Sequence, residues 1–259
     1  MRISVIVPVF NEEETVAQVL ESLAKVPLDL EVMVIDDAST DRTWDILQEL
    51  RAKEAFRDYR FIRHSHNQGK GVGLRTGFGL ATGDLVTIQD ADMEYDPQDI
   101  PALVKKWETA GNSKTAVYGY RNFSGQKLTT QWGNRFLTLV TNILFGARIH
   151  DMETCYKLLP GALARALPMQ GRRFEIEPEI TACTLMAGYR ILEVPIGYTP
   201  RKEKKLNPWK DGWPALAMLL RLRFGKPFRV TASTATPASQ PADVAAGQKA
   251  EADVEISAH

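Results

Sequence analysis

Short β-rich runs alternate with amphipathic stretches from the first residues onward, and this alternation restricts the fold more than any other feature. Strands are expected near residues 3–9, 31–36, 60–65, 84–90 and 115–120, with helices over 12–25, 42–55, 70–81 and 97–109. A repeated β-α unit of this kind builds a mostly parallel central sheet flanked by helices, an α/β fold. Ser39-Thr40-Asp41 offers capping residues ahead of the second helix, and Asp96-Pro97 opens the fourth. In open α/β sheets ligands bind outside the carboxyl ends of the strands, so the residues just after each strand are the first candidates for function. Here they are acidic and polar.

The alternation stops after residue 120. A longer helix is expected over about 127–145, then an irregular stretch at 148–158, a helix near 177–187 and a strand near 190–196. From residue 231, Ala, Ser, Thr, Pro and Gln dominate without apolar periodicity, so ordering entropy goes unopposed and a disordered tail is expected over 231–259. This divides the chain into a main domain at 1–200, a basic stretch with an amphipathic helix at 201–230, and the tail. With 44% apolar residues in 259, the main domain can bury a substantial core.

Cys155 and Cys183 have neither CxxC spacing nor a disulfide pattern and are expected to be reduced, in a cytoplasmic setting. The opening MRISVIVPVF reads as a strand rather than a signal peptide, because Glu12-Glu13-Glu14 follows it at once. No apolar stretch approaches the ~20 residues of a membrane span. Formal charge sums to zero, so nucleic acid is not an expected partner, but cations crowd the segment from Arg201 to Arg229.

The fourth strand runs into Ile88-Gln89-Asp90-Ala91-Asp92. If the extended conformation continues, Asp90 and Asp92 share one side about 7 Å apart. Two such carboxylates suit Mg²⁺ or Mn²⁺, whose shells are completed by phosphate oxygens and water. The alternative is that both merely cap the following turn. Asp37, after the second strand, fits a nucleobase imide or ribose hydroxyl, and Asn11 and Glu12 follow the first strand. The run Asn67-Gln68-Gly69-Lys70-Gly71-Val72-Gly73 matches neither GxxxxGK[ST] nor GxGxxG, which excludes P-loop and Rossmann readings. Its glycines permit close ligand approach and Lys70 a phosphate contact, or else they only shape a turn. His64, His66 and His150 lack a third ligand at metal spacing and are read as structural.

In this order and spacing, SVIVPVFNEEETV, VIDDASTD, HNQGKGVGLRTGFGLATGD and IQDADMEYDP closely resemble the family 2 glycosyltransferases of GT-A fold. YGYRN, DMETCYKLLP, FEIEPEI, VPIGYTPR and WKDG narrow the resemblance to the polyprenyl-phosphate sugar transferases, the dolichyl-phosphate mannose synthase group, over residues 3–222. The resemblance implies a metal-dependent, inverting hexosyltransferase. Pro8, Asn11, Glu12, Asp37, Lys70, Gln89, Asp90 and Ala91 would line the donor site, and Asp90 and Asp92 would hold Mg²⁺ or Mn²⁺, with Glu94 nearby. Arg121 and Arg135 match positions that grip the acceptor phosphate. Arg201 and Lys205 correspond to a basic closing loop, although Arg201-Lys202-Glu203-Lys204-Lys205-Leu206 lacks the small residues usual there.

A phosphate monoester is mostly dianionic at neutral pH, so as a nucleophile it needs positioning cations and no general base. A hydroxyl acceptor would need a carboxylate, for which Asp151 or Glu153 is placed. Recurring arginines favour the phosphate, with a UDP-hexose as donor and GDP-mannose second. The alternatives are transfer to a glycan or small-molecule hydroxyl, and a non-catalytic nucleotide-sugar-binding protein. A lipid acceptor implies a membrane surface as partner, and residues 209–229 have the composition of an interfacial helix for peripheral attachment at the cytoplasmic face. The same pattern also suits a helix packed on the main domain.

Overall fold

The computed structural model describes residues 1–111, 114–121, 128–173, 175–201 and 208–225, without the side chains of 128–131 and 208–211. Seven strands form one sheet: β1 (Ile3–Val9), β2 (Leu30–Asp36), β3 (Arg60–Arg63), β4 (Leu85–Ile88), β5 (Thr115–Arg121), β6 (Lys157–Pro160) and β7 (Arg190–Ile196). Their order is β3-β2-β1-β4-β6-β5-β7. β1 runs parallel to β2 on one side and to β4 on the other. The chain therefore winds outward through β2 and β3 and returns to the opposite flank of β1. This topological switch opens a crevice at the carboxyl ends of β1 and β4, where Asn11 and Asp90 lie.

The central strands β1, β2 and β4 are buried along nearly their whole length because helices cover both faces of the sheet. Ile3, Val5, Ile6, Val7, Val32 and Val34 are fully buried. The helices are α1 (Val16–Leu23), α2 (Thr43–Arg51), α3 (Lys70–Leu80), α4 (Ile100–Ala110), α5 (Leu128–Phe145), α6 (Gly161–Ala166), α7 (Ile176–Met186) and α8 (Pro208–Phe224). α3 lies so close to β1 that a Cβ at Gly77 would stand 2.2 Å from Ile6 Cγ2. Gly77→Ala is therefore expected to destabilise the protein by about 1–3 kcal/mol through overpacking, read as a lower thermal midpoint.

Several expected boundaries shift. α1 starts at residue 16 rather than 12, because Asn11 takes a left-handed φ of 53° and turns the chain. The Glu12 carbonyl then accepts from Thr15 and Val16 N–H. β4 ends at Ile88, so the extended spacing expected for Asp90 and Asp92 does not apply; Met93, at φ 60°, lies in the turn that carries them. Residues 97–99 form a separate 3-10 turn, with Asp96 accepting from Gln98 N–H at 3.0 Å. The stretch expected to be irregular ends in β6, a four-residue strand antiparallel to both β4 and β5, and α6 comes directly after it. Neither element is long enough to show a period in the sequence.

Candidate active site

The glycine-rich turn before α3 is held by Asp37, which accepts from Gln68 N–H at 3.0 Å, Gly69 N–H at 2.6 Å and the His64 ring at 2.8 Å. Burial opposes its charge, but the His64 contact and the two amides outweigh that and keep the carboxyl below its ordinary range. His64 Nε2 contacts Thr76 at 3.1 Å, so the imidazole ties β3 to α3. Gly69, at φ 94°, gives the turn its left-handed corner, and a Cβ at Gly71 would stand 2.2 Å from the Gly171 carbonyl oxygen. Only glycine lets the 171–172 backbone close over this turn.

Lys70 is delivered by the first turn of α3 to a pair of acids. Its Nζ lies 2.8 Å from Asp90 Oδ1 and 3.0 Å from Glu177 Oε1. Burial works against the ammonium, yet these carboxylates hold its pKa well above the usual value. Glu177, from the first turn of α7, also pairs with the fully buried Lys157 of β6. An alternating row Asp90–Lys70–Glu177–Lys157 thus runs from the crevice into the interior. Gln89, fully buried, donates to the Asp90 and Tyr95 carbonyls at 3.0 and 3.3 Å and accepts from the Tyr156 hydroxyl.

Beside this row, negative charge is left over. Burial, then Asp90, then Glu94 push the Asp92 carboxyl up to about 7. Its Oδ1 accepts from Glu94 N–H at 3.1 Å. Glu94 in turn accepts from the Tyr198 hydroxyl at 2.7 Å and from Arg201 N–H at 2.9 Å. The Arg201 guanidinium reaches over the crevice to Glu12, to Thr15 Oγ1 at 3.2 Å and to the Asp92 carbonyl at 3.1 Å. Asn11 binds the β2–α2 loop, with Oδ1 accepting from Thr40 N–H at 2.8 Å. The Ala91 carbonyl accepts from Thr15 Oγ1 at 2.7 Å.

On the far side of the crevice, Asp151 is gripped by Arg121 Nε at 2.7 Å, Arg121 Nη2 at 2.8 Å and Asn134 Nδ2 at 2.9 Å. Burial opposes the charge of this carboxylate, but Arg121 outweighs it and holds the pKa below the ordinary range. Arg121 Cζ also sits 5.2 Å from the Tyr198 ring centroid. Glu153 behaves oppositely: burial and Glu177 raise it to about 7, and its Oε1 is buried without a hydrogen-bond partner.

The sequence profile of glycosyl transferase family 2 matches residues 4–165, which include β1, the acidic strand ends and the glycine-rich turn. The chain belongs to glycosyl transferase family 2. It is 34% identical to a dolichol-phosphate mannosyltransferase of Pyrococcus furiosus over 130 residues, 49% of this chain and 35% of that protein. Thus the chain spans about a third of that relative's length. It is 27% identical over 220 residues to the undecaprenyl-phosphate mannosyltransferase of Micrococcus luteus, covering 80% of this chain and 88% of the relative. The crystal structure of Mycobacterium tuberculosis glucosyl-3-phosphoglycerate synthase with uridine diphosphate matches with a TM-score of 0.66 at 24% identity, over 85% of this chain and 79% of that one. The fold is GT-A.

Seen as a family 2 site, the crevice brings together Asn11, Glu12, Asp90, Asp92 and Arg201, with Pro8 at the end of β1 beneath them. Four of the expected site residues have protein partners in this structure. Asp151 has its oxygens occupied by Arg121 and Asn134 and its pKa depressed, an environment that favours the anion and disfavours proton uptake. Gln89 offers its side chain to protein partners instead of a donor, and positions the Asp90 loop. Lys70 pairs with Asp90 and Glu177, and Asp37 is bound to the Gln68–Gly69 turn. Arg135 is exposed on the outer face of α5, next to Asn134. Lys205 and the 231–259 tail lie outside the described residues. Sequence reasoning did not single out Glu177 or Lys157, because nothing local marks a buried ion pair between β6 and α7.

The fit of a divalent cation is chemical. Burial first, and then the charges of Asp90 and Glu94, raise Asp92 to about 7 against the pull of Arg201, so an added cation would stabilise its anion. Among the described residues no group of three or more His, Cys, Asp or Glu assembles in ligating geometry. Asp92 and Asp90 are the carboxylates that would hold Mg²⁺ or Mn²⁺, ions that usually take one or two protein carboxylates and complete their shells with phosphate oxygens and water.

Proposed function

We propose that the chain moves a hexose from a nucleoside-diphosphate sugar to the phosphate of a polyprenyl lipid, with inversion at the anomeric carbon. The observation that carries this reading is the division of charge across the crevice. Acids around Asp92, with Arg201 lying across them, face the donor side, while Arg121 flanks the opposite approach beside Tyr198. Both mannosyltransferase relatives carry a prenyl phosphate in their names, which supports a phosphate acceptor. They also bring a mannosyl donor such as GDP-mannose beside the UDP-hexose that we favour.

Asn11, Glu12 and the turn braced by Asp37 would bind the nucleoside and ribose. A bound divalent cation would supply charge neutralisation for the departing diphosphate. Arg201, anchored on Glu12 and Glu94, stands where it closes over that leaving group. Arg121, shared with Asp151, would orient the acceptor phosphate, with the exposed Arg135 adding positive charge from α5, and the phosphate dianion attacks from the opposite face without a base. The test is purified protein with UDP-hexoses or GDP-mannose, Mg²⁺ or Mn²⁺ and undecaprenyl or dolichyl phosphate. Glycosylated lipid is the expected product. Label found only in glycans would discard the phosphate acceptor, and donor binding without turnover would discard catalysis.

One observation favours a hydroxyl acceptor instead: Glu153, at about 7, has the affinity of a neutral-pH base. Glu153→Gln separates the two readings. Transfer to a prenyl phosphate is expected to persist within about tenfold, whereas loss of a general base costs roughly 10²–10⁴-fold. The same variant has a stability signature. Because the folded-state pKa is raised, the folded protein binds the proton more tightly than the unfolded chain, and the charge penalty appears as pH rises from the ordinary glutamate range through about 7. Glu153→Gln should therefore gain up to roughly 3 kcal/mol over the parent at pH 8 and little at pH 4, measured by denaturant titration.

A further inference from the structure

The chain leaves β7 at Ile196, which the parallel register pairs with Arg121 at the end of β5. Tyr198 follows two residues later, so its ring comes up beside that arginine, with Arg121 Cζ over the ring 5.2 Å from the centroid. The chain then turns along the loop that follows Asp92. Gly197 N–H donates to Asp99 Oδ2 at 2.8 Å, Thr199 N–H to the Glu94 carbonyl at 2.9 Å, and Arg201 N–H to Glu94 Oε1 at 2.9 Å. Residues 197–201 are thus a strap fastened to the acidic loop, and the Arg201 guanidinium at its end reaches across the crevice to Glu12.

Within this strap the Tyr198 side chain touches both halves of the crevice. Its hydroxyl donates to Glu94 Oε2 at 2.7 Å, while the other Glu94 oxygen takes Arg201 N–H. Burial first, and then the Glu94 carboxylate, push the phenol well above its ordinary range, so the group stays protonated and donates. The ring stands edge-on to Tyr95, with centroids 5.3 Å apart and planes at 62°, and Tyr95 is only 3% exposed. The buried core therefore fixes the ring, and the ring in turn offers its face to Arg121. Packing accounts for the contact with Tyr95. It does not account for a hydroxyl set on a carboxylate two residues from Asp92, or for a guanidinium laid over the ring.

We propose that Tyr198 is a positioning residue with two separable parts: its hydroxyl holds Glu94, and with it the strap that brings Arg201 over the donor, while its ring holds the Arg121 guanidinium toward the acceptor. The part assigned to the ring rests on the proposed phosphate acceptor. The part assigned to the hydroxyl concerns donor binding alone. Phenylalanine keeps the ring and loses the hydroxyl, and leucine loses both, so the two parts can be read apart.

The test compares Tyr198→Phe and Tyr198→Leu with the parent in two arms. Without acceptor, affinity for whichever of UDP-glucose and GDP-mannose stabilises the parent is read by thermal shift in the presence of Mn²⁺. Both variants should bind that donor about tenfold more weakly, as expected for a lost hydrogen bond to a charged group. With donor saturating, the KM for undecaprenyl phosphate should stay within about twofold of the parent in Tyr198→Phe and rise about fivefold in Tyr198→Leu. A purely structural role would move both quantities together, graded from Phe to Leu, alongside the ligand-free thermal midpoint. Rescue of acceptor KM by phenylalanine without rescue of donor affinity is the split that supports the proposal. Parental donor affinity in Tyr198→Phe, or parental acceptor KM in Tyr198→Leu, would overturn it. A parent chain that transfers to no prenyl phosphate would instead overturn the acceptor reading and the ring's part with it, and the donor arm would still decide the hydroxyl's.

Discussion

Asp92→Ala is expected to lower sugar transfer by about a hundred- to a thousandfold while leaving the protein folded, the loss typical when one group that stabilises developing negative charge is removed. The cause is specific to the crevice. Asp92 sits beside Asp90 and Glu94 with its carboxyl raised to about 7, so in the free protein its charge is a burden. A bound divalent cation would relieve that burden. Removing it costs one hydrogen bond, from Glu94 N–H at 3.1 Å, and relieves repulsion, so the thermal midpoint should stay near the parental value. The check pairs initial transfer rates with donor-induced thermal stabilisation, each with and without Mn²⁺. Metal should enhance donor stabilisation in the parent and not in the variant. Transfer within tenfold of the parent would remove Asp92 from the cation site.

Glu177→Ala should act on stability instead, by about 3–5 kcal/mol, the usual cost of removing one partner from a buried ion pair. Glu177 is 4% exposed and Lys157 fully buried. Burial opposes the Glu177 charge, but Lys157 and Lys70 outweigh it and depress the pKa. Without this carboxylate, Lys157 retains the Thr154 carbonyl, the Tyr118 ring 5.2 Å away and the more distant charge of Glu153. A protein of this size should lose roughly 6–20 °C of thermal midpoint. Adding Lys157→Met should restore much of it, because an uncharged side chain of similar length leaves no orphan ammonium. A double variant as unstable as the single one would place the loss in packing rather than charge. Because Lys70 would then answer Asp90 alone, the single variant should also bind metal less well than its folded fraction predicts.

The acidic strand ends are legible in the sequence because they are local. A buried parallel strand is a run of apolar residues, and in an α/β sheet the residues just past its carboxyl end lie at the crevice by topology. Asn11, Glu12, Asp37, Asp90 and Asp92 stand out for this reason. Their individual roles are less legible. Asp37 and Gln89 face the crevice in sequence terms, yet their hydrogen bonds are taken by the turn at Gln68-Gly69 and by Tyr156. Asp151 reads in the sequence as an acid available for catalysis, whereas in the fold Arg121 and Asn134 close on it.

By itself the sequence determined the order of strands and helices through residue 120, the family through its ordered motifs, and the crevice through the strand ends. Periodicity and turn chemistry act over one or two turns of chain, so they survive in the sequence. Only the tertiary structure decided which charges meet. β6 slips antiparallel between β4 and β5 and carries Lys157 inward, α7 brings Glu177 to Lys70, and α5 and α8 stand side by side with their apolar stripes outward. These pairings join segments far apart in the chain. Their energies come from burial, which is a property of the packed whole and of no local stretch of residues.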